Sequence, residues 1–307
     1  MFRRFRMPRG ILWGQVSGSA DRAGERYSMR GDGDGWATTP DGVRHWGRHG
    51  AAGLLLRAPL EDGSPAVLLQ HRAAWSHQGG TWALPGGARD SHETTIHAAV
   101  REAQEETGID TGAVRVRTER VTANVDGGWT YTTVVADAEK TLALVPNGES
   151  TELRWVPEAD VEHMPLHPGF AAAWPSLRTS EIRVLLDTAN VLGSRPTGWW
   201  RDRAGATGEL LDRIAQVLPR TVELPGGGFG WLPRIEAVLE GQARAVDHAD
   251  VRVPVHAAAG SGDDELARLA SDGDTLTAVV TADRGLRGRL PTSVLALSPS
   301  TVLGWLD

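Results

Sequence analysis

Glu102, Glu105 and Glu106 stand at i, i+3 and i+4 in the segment TIHAAVREAQEETGI, so a helix there puts all three carboxylates on one face. Like charges on one solvated ridge repel by roughly a few tenths of a kcal/mol per pair. A divalent cation turns that repulsion into attraction, and carboxylate oxygens suit a hard ion such as Mg²⁺ or Mn²⁺. A solvated acidic helix face is the commoner meaning of an EAQEE run taken alone. A second acidic set is spread wider. Asp187 and Asn190 close the apolar run RVLLDTAN, Asp263 and Asp264 open SGDDELARLA, and Asp283 follows LTAVVTA. Acidic residues at several strand ends can converge on one cation, although each alone is also a common helix cap or turn former. The chain has no cysteine, which excludes disulfides, thiolate zinc sites and cysteine nucleophiles.

The glutamates require a helix from about Ser91 to Thr107, closed by Gly108, with Ile96, Ala99, Val100 and Ala103 as its buried stripe. Ahead of it, AAGLLLRAP and AVLLQHR read as two buried strands around the turn EDGSP, followed by the Gly/Pro-rich loop QGGTWALPGGARD. Strands are expected at 113–123, 130–137 and 152–156, and a short segment, LHPGFAAAWPSL, ends the region near residue 178. A strongly apolar strand over 181–190 and a helix at about 200–218 then open the second half. Strand-like runs IEAVLEG, DVRVPVHAA, LTAVVTA and SVLAL complete it, with the helical SGDDELARLA among them. That alternation predicts a parallel α/β sheet. The division expected is 1–45, with no fold assigned, then 46–178 and 181–307.

The 307 residues are 40% apolar and 23% charged, an ordinary globular mixture long enough for about two domains. A net charge of −7 lacks the electrostatic footprint of a strong nucleic-acid binder. No apolar run reaches the ~18 residues of a membrane helix, and the basic start MFRRFRMPRG is followed by too short an apolar stretch for a signal peptide. The expectation is a soluble, cytoplasmic protein without a membrane partner, its oligomeric state open.

Gly87, Glu93, Arg101, Glu102, Glu105, Glu106 and Gly108, with apolar Ala103 and Ile109, fit G-x5-E-x7-R-E-U-x-E-E-x-G-U (U apolar) at every constrained position. The region resembles the Nudix hydrolases. The resemblance implies a mixed sheet between helices in an α/β/α sandwich, with this box as loop–helix–loop. It also implies Mg²⁺ (or Mn²⁺) held by Glu102, Glu105, Glu106 and the Gly86 carbonyl, and Glu93 paired with Arg101 to anchor the loop. The reaction implied is attack of water on a phosphorus of a nucleoside diphosphate derivative. Glu105 or Glu106 would orient the water, or a later base would serve; in GESTELRWV both Glu149 and Glu152 qualify, with Glu149 preferred. The ADP-ribose, dinucleoside-polyphosphate, isopentenyl-diphosphate and coenzyme A signatures are missing or out of register. The approach GGTWALPGG is similar to the MutT-type group, and Trp82, Trp129 and Tyr131 are candidates to stack on a base, core packing being the commoner role of each.

The order DTAN…SGDDELARLA…VVTADRGLRGRL over residues 181–307 resembles the PIN-like nucleases, especially their NYN branch. That resemblance implies a parallel-sheet α/β domain in which Asp187, Asn190, Asp264 and Asp283 hold Mg²⁺ or Mn²⁺, Asp263 assisting, with RNA as a partner. Two readings follow: a nucleotide pyrophosphohydrolase, or a ribonuclease whose first half senses or trims nucleotide ends. A binder without catalysis is a third, which the intact acid set argues against.

Overall fold

The computed structural model describes residues 31–40, 42–76, 78–195, 198–272 and 275–306. It opens with a small antiparallel hairpin, β1 (Trp36–Thr38) and β2 (Arg44–Trp46). There follow β3 (Ala51–Pro59), β4 (Pro65–Arg72), β5 (Trp82–Ala83), β6 (Gly86–Ala88), α1 (Thr95–Thr107), β7 (Arg115–Asn124), β8 (Thr130–Asp137), β9 (Ser150–Pro157) and α2 (Pro168–Leu177). The second half comprises β10 (Thr179–Asp187), α3 (Thr188–Gly193), α4 (Arg203–Val217), β11 (Arg220–Glu223), β12 (Phe229–Leu232) and β13 (Glu236–Leu239). It ends with β14 (Val255–Ala257), α5 (Gly262–Ala270), β15 (Leu276–Val280), α6 (Arg284–Arg287), β16 (Leu295–Leu297) and α7 (Pro299–Leu306). Of the stretch 1–45, residues 1–30 lie outside the described residues, and part of the rest forms the hairpin.

The first sheet runs β5-β4-β3-β8-β7, with β6 on β3 and β9 on β4. It is mixed, because β3 and β8 pair parallel and the other pairs antiparallel. β3 is apolar throughout because both of its faces are covered. Leu54 and Leu56 pack with Ala98, Ala99 and Ala103 of α1. Leu55, on the opposite face, packs with Phe170 and Trp174 of α2. The alternation that should mark a half-exposed strand is therefore missing, and the run reads as continuous.

α1 starts later than Ser91 because Thr94 is its cap, accepting the His97 N–H on Oγ1. It ends as expected at Gly108, which turns left-handed (φ 67°) and returns its N–H to the Gln104 carbonyl.

The second sheet has a parallel core in the order β14-β13-β10-β15-β16. One detail differs from expectation. The strand expected to run to Asn190 stops at Asp187, whose side chain accepts the Asn190 N–H and starts α3. The Gly-rich segment LPGGGFGWLPR closes a hairpin. Gly226, Gly227 and Gly228 (φ 89°, 96° and 82°) make the tight turn of an antiparallel β11–β12 hairpin. That hairpin reaches the first half. Phe229 joins the core of Leu55, Phe170 and Trp174, the Trp231 Nε1–H donates to the Gly63 carbonyl at 2.8 Å, and Thr221 donates through N and Oγ1 to buried Asp137, each at 2.7 Å. Residues 32–307 form one compact unit, and none of the described helices is long and apolar enough to cross a membrane.

Candidate active site

Arg101 organises the loop–helix junction. Its Nε and Nη2 donate to the two oxygens of Glu93 at 2.7 and 2.8 Å, and Nη2 also reaches the Ala88 carbonyl. Glu93 accepts the Asp90 N–H as well, so the loop is tied to the helix through one bidentate pair. That pairing holds the Glu93 carboxyl below its usual range. The third nitrogen, Nη1, donates to Glu102 at 2.8 Å.

Glu102 and Glu106 turn inward, one helical turn apart. A Cβ on Gly87 would stand 2.6 Å from the Glu102 carboxyl carbon, so glycine is required there for this carboxylate to lie against the loop backbone. Glu106 is only 4% exposed and accepts from the Gly86 N–H at 2.7 Å and the Gln70 amide at 3.0 Å. Gln70 is itself fixed by the Ser150 hydroxyl. Burial pushes Glu102 up to about 7 and Glu106 up to about 8; their neighbouring carboxylates, Glu149 among them, add to both shifts. Glu105 differs. Its side chain is 60% exposed, 3.5 Å from the Arg101 guanidinium.

Glu149 sits at the start of β9 with its N–H on Asn147 Oδ1 and its carbonyl accepting the Ala73 N–H, where its charge bears on both buried glutamates. Glu152, two pairing positions away on the sheet, is engaged by Arg154 at 3.0 Å. Two buried carboxylates that repel each other, with a single guanidinium on one of them, form a donor set that fits a hard divalent cation. The trio that converges most tightly among the described residues lies elsewhere: Asp32, Asp90 and His92 bring ligand atoms within 4.8 Å of one another. Two of these carboxylates are already used, Asp32 by Ser91 and Asp90 by the Gly33 N–H, and they clamp the hairpin to the loop that carries Glu93.

The three aromatic candidates are not equally free. Trp82 is 5% exposed, within the core of Leu69, Val156 and Trp174, so burial removes the open face a base would need. Trp129 donates its Nε1–H to the Gly47 carbonyl at 2.9 Å and is stacked by His45; it holds the hairpin. Tyr131 presses its hydroxyl against Gly53, where a Cβ would stand 2.0 Å away. Burial, with Glu106 nearby, raises that hydroxyl's pKa.

The second acidic set meets at the C-terminal edge of the parallel sheet, where such folds bind ligands. A cavity of about 450 Å³ is lined by Asp187, Asn190, Glu240, Asp263 and Asp283. Asp187 accepts from Asn190 N and the Thr281 hydroxyl, and Asn190 accepts the Ala282 N–H. Burial raises both Asp187 and Asp263. Asp264 is a correction: it lies on the outer side of α5, bonded to Arg289 and not among the cavity's residues, and Asp263 takes the inward place. Glu240 was missed. It follows β13 directly, and its position at a third strand end was the signal available.

A loop–helix–loop with an internal Arg–Glu anchor, seated on a mixed sheet between helices, defines a class of hydrolase. Residues 47–178 match the family model described as NUDIX domain. A Mycobacterium tuberculosis protein, provisionally named 8-oxo-dGTP diphosphatase 3, is 54% identical over 207 residues, 66% of this chain and 85% of that one. A Bifidobacterium longum protein named as a nucleoside triphosphate pyrophosphatase/Nudix hydrolase fusion is 40% identical over 148 residues, 47% of this chain and 30% of its own length. The crystal structure of RenU, a Nudix hydrolase from M. smegmatis, shares 65% identity over 47% of this chain and 91% of its own, with a TM-score of 0.46. The chain belongs to the Nudix family and is a Nudix pyrophosphohydrolase.

Proposed function

We propose that residues 46–178 form a MutT-like, Mg²⁺-dependent (or Mn²⁺-dependent) domain that cleaves the pyrophosphate linkage of nucleoside di- and triphosphate derivatives. The observation that carries the metal dependence is the pair Glu102, half-buried, and Glu106, buried: desolvation raises both carboxyls, Glu105 and Glu149 adding to the first and Glu102 and Glu149 to the second. Glu102, Glu105, Glu106 and the Gly86 carbonyl would hold the ion. When bound, it supplies neutralisation of the phosphate oxygens and a more acidic water. The chain's own residues do the rest: Glu93 and Arg101 keep the loop registered on α1, Gln70 and the Gly86 N–H aim Glu106, and Glu149 accepts the proton of the attacking water. The M. tuberculosis relative's name supports a purine nucleoside triphosphate, with 8-oxo-dGTP foremost in the panel.

The test is pyrophosphate and phosphate release from a nucleotide panel, with and without Mg²⁺. Glu105→Gln and Glu106→Gln each lower turnover by orders of magnitude; near-normal turnover in both refutes the assignment.

A second reading rests on the acidic cavity of the parallel sheet. Here residues 181–307 are a PIN-like, NYN-type domain in which Asp187, Asn190, Asp263 and Asp283 take Mg²⁺ or Mn²⁺ and cut RNA. In that case Asp187→Asn abolishes RNA cleavage with Mn²⁺ and spares nucleotide hydrolysis.

A further inference from the structure

A separate cavity of about 210 Å³ lies where β7 of the first sheet meets the β11 hairpin and α7 of the second, lined by Arg117, Arg220, Glu223, Phe229, Thr301 and Trp305. Its charges do not balance. Arg115 pairs with Glu139, Arg117 with Asp137, and Arg120 stands 3.9 Å from Glu223. Arg220 is left over: among the described residues no carboxylate bonds it, Asp137 attracting it only at longer range while bonded to Arg117 and Thr221, and it contacts the Trp305 carbonyl at 3.5 Å and the Trp305 ring face at 4.9 Å.

Donors are also left over. Arg117 gives Nε to Asp137 at 2.7 Å, while its Nη2 is buried with no acceptor; Arg220 Nε is likewise buried and unmatched. A partly buried guanidinium that no carboxylate contacts, with its Nε sealed from water, is costly. Burial, with Arg117 as the next cause, brings Arg220 down to about 10. The missing element is negative charge with several acceptor oxygens. The space is below the ~300 Å³ at which pockets for drug-sized ligands begin, so it suits an ion or a single phosphate group.

We propose that this cavity binds a phosphate-class oxyanion, with Arg220 and Arg117 as the charged ligands and the Thr301 hydroxyl at its rim. Glu223 also lines the space, but its side chain is 60% exposed and leans toward Arg120. Bound there, the anion braces the two sheets and gives Arg220 its counter-charge.

The test is thermal unfolding of the full chain in EDTA at constant ionic strength, titrated with inorganic phosphate, AMP or chloride. Phosphate raises the midpoint saturably and chloride does not; the AMP arm separates free phosphate from a nucleotide's phosphate, and a response to either supports the site. Arg220→Gln weakens the apparent affinity about tenfold or more, the loss expected of one charge-assisted contact, and is no less stable than the parent when no oxyanion is present. Glu106→Gln keeps the response, which separates this cavity from the helix carboxylates. Should Arg220→Gln fold poorly, Arg220→Lys, which keeps the charge and loses the fork, weakens the response in the same direction. No response beyond chloride, or one that survives Arg220→Gln and disappears in Glu106→Gln, overturns the proposal.

Discussion

Protonation of the buried glutamates sets a pH dependence opposite to that of most carboxylates. Glu102 rises from 4.5 to about 7 and Glu106 from 4.5 to about 8. At about 1.36 kcal/mol per unit, the Glu106 shift corresponds to a linkage on the order of 5 kcal/mol, and that of Glu102 to on the order of 3. A carboxyl whose folded pKa lies above its unfolded one binds more protons in the native state, so its contribution favours folding at low pH. That contribution is lost as pH climbs from about 4.5 through about 8. The metal-free chain should therefore lose stability across this window, and Glu106→Gln, which cannot ionise, should lose much less. A divalent cation needs both groups deprotonated, so its stabilising increment must grow over the same interval. The assay is chemical unfolding of parent and Glu106→Gln at about pH 5.5, 7 and 8.5, in EDTA and in Mg²⁺. The informative quantity is the difference between the two proteins, because titrating groups that do not couple to Glu106 cancel, and the remainder belongs to Glu106 with its neighbours Glu102 and Glu149. A difference that stays flat with pH in EDTA, or a Mg²⁺ increment that shrinks as pH rises, refutes the account of a repelling buried pair.

Other perturbations test how the site and fold are held. Arg57 is wholly buried and bonds Glu158 at 2.8 Å and the Leu177 carbonyl at 2.6 Å; Glu158→Ala leaves its charge uncompensated and should cost about 3–5 kcal/mol in urea unfolding. Gly87→Ala drives a methyl into the Glu102 carboxylate; turnover should fall at least about tenfold while far-UV dichroism stays unchanged. Trp129→Phe removes a hydrogen bond to Gly47 and should cost about 1 kcal/mol in unfolding free energy, with the KM for nucleotides unchanged. A marked rise in KM there would restore Trp129 as a substrate contact.

What the sequence made legible follows from which signals are local. The box at Gly87 to Ile109 carries the family resemblance that implied a loop–helix–loop and its Glu93–Arg101 anchor, and Gly108 marks the helix end because glycine enters the left-handed turn without strain. Spacing could not reveal that Glu102 and Glu106 sink while Glu105 stays at the surface. That difference is made by Gly87, Gln70 and Ser150, residues of three other elements. Asp263 and Asp264 stand about 100° apart around the first turn of α5, so only one need line the cavity, and the phase set by the N-cap at Ser261 decides which. The aromatics were ambiguous for a similar reason: a Trp beside a Gly-rich loop reads the same whether it packs inward, as Trp82 does, or waits for a base. The Gly-rich run at 226–228 carried the opposite ambiguity, since three glycines suit a loose loop as well as a tight turn. What separates them is the apolar FGWL that follows and finds its core across the chain.

That hairpin bears on how the two halves relate. β7 ends the order of the first sheet, and an edge strand left bare invites pairing with another chain. Here Arg120, on β7, lies over the Phe229 ring at 4.4 Å, and Thr118 donates to Glu223, so the edge is covered by side chains from β11 and β12. Phe229 is 1% exposed within the first half's own core. Removing the second half would open a hole beneath α2 as well as uncovering an edge. Asp137 makes the dependence mutual, because the buried carboxylate at the end of β8 holds Arg117 on one side and the backbone of Thr221 on the other. A first half that functioned alone would need neither the aromatic nor the charge, and both would be liabilities. Their satisfaction only in the full chain makes the seam part of what keeps the sheet under Glu102 and Glu106 in register.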